Sequence, residues 1–417
     1  MKFIDLFAGL GCFHIALTQC GHECVFASEI NIELQDLYRQ NFNIEPYGDI
    51  TKINVKSIPA HDILCAGFPC QPFSKAGRQR GIQDERGTLI NSVIEILKEH
   101  RPQYFILENV RNLEKHDGGK TWKYIRTELE NLQYFVDKKI ISPHDIGIPQ
   151  HRERIFIVGS KSPLSNFHWP DANFQKNILS IIDKTTRIKK ELKIEPDKIH
   201  VLNIWQKFIN VLPKDIFPYS PLWSMEFGAT YPFENIDYQE IPLNELQKYK
   251  GSFGQPLIGN TREELISRLP NYVKTQKGIF PKWKQNFIRN NRLFYAQNKI
   301  AIDKILPHII DLKIESWQKF EWNCAKMDKN IWNYLIQFRG SGVRIKKMDY
   351  FPSLVTVGTQ MPIIGPQRRY IIPQEGAALQ SIPSNIKLPS SIKSCFKALG
   401  NAVNCDIVYL IAKQLIK

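Results

Sequence analysis

Apolar and polar positions follow two periods in turn along the first 160 residues. Lys2 to Leu6, Glu23 to Ser28, Asp62 to Ala66, Gln103 to Leu107 and Arg154 to Val158 are short, mostly apolar runs. Runs of that length between turn residues predict strands buried on both faces. Between them, Cys12 to Gln19, Ile32 to Asn41, Thr88 to Glu99 and Trp122 to Leu132 space their apolar residues as helices do, and Gly21 ends the first. Strands separated by helices imply an α/β fold with a doubly wound, mostly parallel sheet. From about Asn166 to Asn333 the alternation is lost and prolines and aromatics are scattered. The expected organisation is a first domain of residues 1–180, completed by 388–417 and its helix from about Ser394 to Ile416. A second, smaller domain is expected over 181–387.

In a sheet of this kind ligands bind beyond the carboxyl ends of the strands, so the residues just after each strand are the informative ones. Phe7-Ala8-Gly9-Leu10-Gly11 follows the first, a glycine turn that lets the backbone approach a ligand. Glu29 follows the second, and Asp49 follows Gly48 in the next segment. A Gly-x-Gly turn with an acid near the end of the next strand signals a nucleoside cofactor whose ribose hydroxyls donate to the acid. The third glycine of the dinucleotide pattern would fall at His14, so a pyrophosphate has no cradle, which argues against NAD or FAD. Cys70 follows the Asp62 to Ala66 run in Gly67-Phe68-Pro69-Cys70-Gln71-Pro72-Phe73-Ser74, where two prolines forbid a continuing strand or helix. Such a loop suits a nucleophilic thiol, whereas a lone cysteine elsewhere is commonly a small buried hydrophobe. Glu108-Asn109-Val110 follows the next run.

The 417 residues, 43% apolar and 23% charged, have the composition of a globular protein of two or three domains. No stretch suggests a membrane span and the start has no signal-type pattern, so the expected location is cytoplasmic, without membrane contact. The eight cysteines show no zinc-ligand spacing; Cys20, His22 and Cys24 come nearest but cross a helix-to-strand junction, and no metal is expected. The net charge of +15 calls for a polyanionic partner, most simply nucleic acid. Residues 271–300 hold seven Lys or Arg and no acid, interleaved with Tyr272, Phe280, Trp283, Phe287, Phe294 and Tyr295, a pattern that fits a DNA-facing surface or a helix with an aromatic core side.

These motifs, with Gln150-His151-Arg152-Glu153-Arg154 and Gly400-Asn401-Ala402-Val403, resemble in order the motif set of the DNA cytosine-5 methyltransferases, most closely their single-chain bacterial modification enzymes. The resemblance implies a Rossmann-like S-adenosylmethionine-dependent fold, with the second domain as the target recognition domain. It implies S-adenosylmethionine contacts from Phe7, Gly9, Leu10, Gly11, Glu29, Ile30, Asp49, Ile50, Pro69, Leu89, Asn401 and Val403. Cys12 stands where many members have another glycine, and Ala378 where an arginine is usual.

The implied chemistry needs these residue types. Carbon 5 of cytosine takes a methyl group only after a nucleophile adds to carbon 6, and a cysteine thiolate adds readily and can leave again. Cys70 would add there, Glu108 would hold a proton at ring nitrogen 3, Arg154 would hold oxygen 2, and Arg152 would order the site. A base in a duplex must be flipped out to reach them. The basic loop with Ser74, Lys75, Arg78 and Arg80 is the expected cover, and Arg339 and Arg344 are expected phosphate contacts. The expected substrate is double-stranded DNA bound by a monomer in a bacterial cytoplasm, at the nucleoid, with a cognate restriction endonuclease as a separate chain. An RNA cytosine-5 methyltransferase or a silent DNA-binding protein are the alternatives.

Overall fold

The first strand decides how the first sheet is covered, because Lys2–Leu6 (β1) alternates Ile4 and Leu6 against Phe3 and Asp5, and all four are fully buried. The computed structural model describes residues 1–69, 88–171, 177–183, 190–355 and 360–416. Ile4 and Leu6 join the core containing Ile90, Val93 and Leu97 of the helix Thr88–His100 and Ile125 and Leu129 of Lys120–Asn131. Phe3 meets the His14 ring of the helix Cys12–Gln19 (α1), and Asp5 accepts from the Tyr38 hydroxyl of Ile32–Phe42 (α2) at 3.3 Å. Helices therefore cover both sheet faces, as a doubly wound fold requires.

Six strands form this sheet: β1, Glu23–Ser28 (β2), Ile63–Gly67 (β3), Tyr104–Val110 (β4), Phe135–Ile141 (β5) and Arg154–Ser160, in the order β2, β1, β3, β4, Arg154–Ser160, β5. The first four are mutually parallel, while Arg154–Ser160 is antiparallel to both its neighbours. The sheet is thus mostly parallel, as expected, and the direction of Arg154–Ser160 is one that periodicity alone does not give. β5 was not expected at all. Its sequence, FVDKKII, is polar at the sheet edge and alternates only weakly. The segment at Gly48-Asp49 is not a strand but a single bridge from Tyr47 to Ser28 followed by a turn of 3-10 helix, Ile50–Lys52.

The chain's end also departs from expectation. The single helix expected from Ser394 to Ile416 is two, Ile392–Asn401 and Cys405–Leu415, and the Asn404 side chain caps the second by accepting from the Ile407 N–H. Together they form one stretch, Ile392–Leu415, long and apolar enough to cross a membrane by length and composition, which the sequence reading had not noted; 72% of its most apolar window is buried inside the protein.

The chain divides into two compact units: Met1–Arg187 with Asp349–Gly358 and Ile371–Lys417, and Ile188–Met348 with Thr359–Tyr370. The expected boundaries fell at 180/181 and 387/388, whereas Asp349–Gly358 and Ile371 onward group with the first unit. The second unit holds a sheet ordered 369–370, 363–364, 335–339, 342–346, 319–323, 222–223. Its register gives the central strands two unlike faces. Phe320, Trp322, Ile336, Phe338, Val343 and Ile345 fall on one, where Trp205 of the helix Pro196–Val211 stacks on Phe320 at 4.6 Å. Lys319, Glu321, Asn323, Gln337, Arg339, Arg344 and Lys346 fall on the other. The expected aromatic surface is mostly core: Phe280, Phe294 and Tyr295 are buried and Phe287 stacks on Trp223, leaving Trp283 exposed.

Candidate active site

The carboxyl ends of β1, β2, β3 and β4 share one edge of the sheet, and the reversed strand brings its beginning to that edge because Arg154 pairs with Val110, the last residue of β4. A cavity of about 450 Å³ opens there, lined from all five strands and from the helix Ile392–Asn401. Phe7, the first residue after β1, has φ 57°, a left-handed conformation that a bulky residue rarely holds and that marks strained, functional backbone. Gly9 follows at φ 55°.

Glu29 is buried and spent on the backbone. One oxygen accepts from the Gly9 N–H at 2.8 Å and the other from the Asn31 N–H at 2.8 Å. The carboxylate therefore fixes the glycine turn against the start of α2, and each oxygen keeps a lone pair for a further donor. Asp49 accepts from the Thr51 hydroxyl at 2.8 Å and its N–H at 3.0 Å, and these bonds hold its carboxyl below the usual range. Beside these acids Ile30 is left 70% exposed, an apolar side chain at the cavity wall with nothing covering it.

Glu108 lies inside β4 opposite Gly67 of β3 and Phe156 of the reversed strand. Arg154 is its diagonal neighbour across that ladder, and its Nε stands 3.0 Å from Glu108 Oε1. Burial pushes the Glu108 carboxyl above its ordinary value, and Arg154 and then Arg152 pull it back. Asn109 donates to the Phe68 carbonyl at 3.2 Å, holding the end of β3 against the end of β4. Phe68 and Pro69 line the same cavity.

Arg152 is 2% exposed and its guanidinium is directed at main chain. It donates to Leu354 O at 3.0 Å, Gly400 O at 2.7 Å, Ala402 O at 2.9 Å and Ser353 Oγ at 3.3 Å. Its own N–H is held by Ser142 Oγ at 2.8 Å. Arg152 thus ties together three segments distant in sequence.

The structure gathers Phe7, Gly9, Leu10, Glu29, Ile30, Asp49, Ile50, Pro69, Leu89, Glu108, Arg152, Arg154, Asn401 and Val403 around the one cavity. Gly11 is not in its wall: a side chain there, at φ 76°, would strike the Phe42 ring at 2.3 Å, so this glycine serves the packing of α1 on α2. His14, where a dinucleotide fold would need its third glycine, stacks on Phe42 at 4.1 Å and shares a 2.8 Å hydrogen bond with the Tyr38 hydroxyl. Cys70, Ser74, Lys75, Arg78 and Arg80 lie outside the described residues. Arg339 and Arg344 belong to the second unit, where both pair with Glu321. Sequence reasoning missed Asn31, Glu33, Ser394 and Lys397 in the cavity wall. The signal for the last two was available in their helical spacing from Asn401.

The profile of the C-5 cytosine-specific DNA methylases matches residues 1–216 and 233–417. The chain belongs to this family. The methylase is 32% identical over 430 aligned residues to type II methyltransferase M.BanI of Aneurinibacillus aneurinilyticus, covering all of this chain and 95% of that one. It is 46% identical over 172 residues to M.HhaI of Haemophilus parahaemolyticus and 55% over 159 residues to M.DsaV of Dactylococcopsis salina. Those two matches take in 41% and 38% of the methylase and about half of each relative, 53% and 45%. In fold the methylase is similar to the solved Entamoeba histolytica methyltransferase EhMeth, with a TM-score of 0.52 at 16% identity over 100% of this chain and 97% of that one.

Proposed function

We propose that this methylase transfers a methyl group from S-adenosylmethionine to carbon 5 of a flipped cytosine in a short specific sequence of duplex DNA, as the modification enzyme of a type II restriction-modification system. The observation that carries the reading is the pairing of buried Glu108 with half-buried Arg154 in the same cavity wall as Phe68 and Pro69, which immediately precede Cys70.

The cavity residues fit the cofactor. Glu29, with a lone pair free on each oxygen, suits ribose hydroxyls, and Phe7 and Ile30 offer apolar surface to a purine. S-adenosylmethionine would supply an electrophilic methyl at carbon 5.

Every other step falls to the chain and the base. The Cys70 thiolate adds to carbon 6, forming a C–S bond while electrons shift toward carbon 5. Glu108, whose carboxyl burial raises above its ordinary value, donates from its protonated form to ring nitrogen 3 and makes carbon 6 more electrophilic. Arg154, held by Glu108, would meet oxygen 2, beside that nitrogen. Loss of the carbon 5 proton to water then restores the carbon 5–carbon 6 double bond, breaks the C–S bond and releases Cys70 as thiolate, and the proton at ring nitrogen 3 returns to Glu108. Arg152 touches no reacting atom and acts by holding Gly400 and Ala402 where Asn401 lines the cavity. The acid-free segment 271–300, where Lys277, Lys282 and Trp283 are exposed, supports DNA contact by the second unit, as a recognition domain.

The test is base-resolution bisulfite sequencing of unmethylated plasmid incubated with the protein and S-adenosylmethionine, beside a Cys70→Ser control. Protected cytosines in one recurring sequence, lost in the control, are expected. Protection in no context, or undiminished protection with Cys70→Ser, would overturn the reading.

A further inference from the structure

The charged groups of the cavity wall are not all paired with one another. Four acids line it, Glu29, Glu33, Asp49 and Glu108, with three cations. Two of the cations are committed: Arg154 to Glu108, and Arg152 to main-chain carbonyls. The third is Lys397, on the exposed rim, with no carboxylate of the described residues within 4.0 Å of its ammonium group.

Its position is set by the helix Ile392–Asn401. Cys395, Phe396 and Leu399 are buried on the packed side, while Ser394, Lys397, Ala398 and Asn401, at i, i+3, i+4 and i+7, present one face to the cavity. Arg152 fixes the end of this helix through Gly400 and Ala402, so the lysine stands on an anchored support.

S-adenosylmethionine carries a sulfonium, an ammonium and one carboxylate. A wall with Glu29, Glu33 and Asp49 already suits the two cations; the carboxylate is the group that needs a positive partner, and a charged hydrogen bond is stronger than a neutral one. We propose that Lys397 binds this α-carboxylate and thereby selects cofactors that retain it, an inference that rests on the cofactor reading above.

Calorimetric titration of S-adenosylmethionine and its decarboxylated analogue, into the parent protein, Lys397→Met and Lys397→Arg, tests it. The parent is expected to prefer S-adenosylmethionine by roughly tenfold, the size of one charge-assisted contact at a partly exposed rim. Lys397→Met should erase that preference and leave affinity for the analogue as it was; Lys397→Arg should keep it. Undiminished preference in Lys397→Met, or equal loss of both ligands, would overturn the proposal. If the parent binds neither ligand, the cofactor reading fails and this one with it.

Discussion

Replacing Arg152 by methionine keeps the length and apolar stem of the side chain and removes the strut. Its guanidinium serves Leu354, Gly400 and Ala402 carbonyls and the Ser353 hydroxyl. A hydrogen bond from a charged donor contributes about 1.5–3 kcal/mol, and bonds from one group do not add, so the loss is expected to be about 3–5 kcal/mol, as for other broken buried ionic networks. Because the released carbonyls lie at 354 and 400–402, the damage should be local. Hydrogen exchange should rise in peptides covering 350–355 and 398–406, affinity for S-adenosylmethionine should fall, and single-turnover transfer at saturating cofactor should change little. Urea unfolding of the first unit gives the stability loss. Arg152→Lys should recover only part, since one ammonium cannot reach acceptors on two sides. Parent-like exchange and stability with a collapsed single-turnover rate would refute the reasoning, because Arg152 would then be acting on the substrate.

Two further outcomes follow from the site. Burial raises the Glu108 carboxyl, so its protonated form is favoured by folding. Any stability it contributes is complete below its unfolded value and is lost as pH rises through the raised folded one, and the chemical step should slow over the same interval as proton donation is lost. Glu108→Gln should cut the single-turnover rate by about 10²–10⁴ and remove that falling limb, and a limb that persists in the variant would assign it to another group. Gly11→Ala places a methyl group 2.3 Å from the Phe42 ring at φ 76°, which should destabilise the protein by about 2–4 kcal/mol from strain and overpacking together. Cofactor affinity measured on the folded fraction should hold, since Gly11 is outside the cavity wall; weakened binding at parent stability would return it to the cofactor site.

The buried central strands were legible because β1, β3 and β4 are apolar enough to announce burial on both faces. β5 was hidden because Asp137, Lys138 and Lys139 at the sheet edge break the apolar run, Asp137 exposed and Lys138 held half-buried against Glu114 and the Trp122 ring. Most of the site was legible for a related reason: strand-end positions are few, and Glu29 and Glu108 occupy them. What sequence could not express was division of labour among neighbours. Gly9 and Gly11 look alike in the turn, yet one lines the cavity and the other clears space for Phe42. Arg152 and Arg154 look alike two residues apart, yet one braces main chain and the other pairs with Glu108. The aromatics of 271–300 fit either a surface or a core, and only the fold assigns Phe280, Phe294 and Tyr295 to the interior.

The helix Cys405–Leu415 packs on α1, and the Cys20 thiol reaches the Tyr409 carbonyl at 3.8 Å. The packing of α1 is thus completed by residues 389 positions further along the chain. Long-range closure of this kind is slow and is reached only once the intervening chain has been made. A chain cut anywhere before residue 394 therefore lacks both the cavity wall from Ser394 to Val403 and the covering of α1, so the cavity and the packing of α1 are lost together.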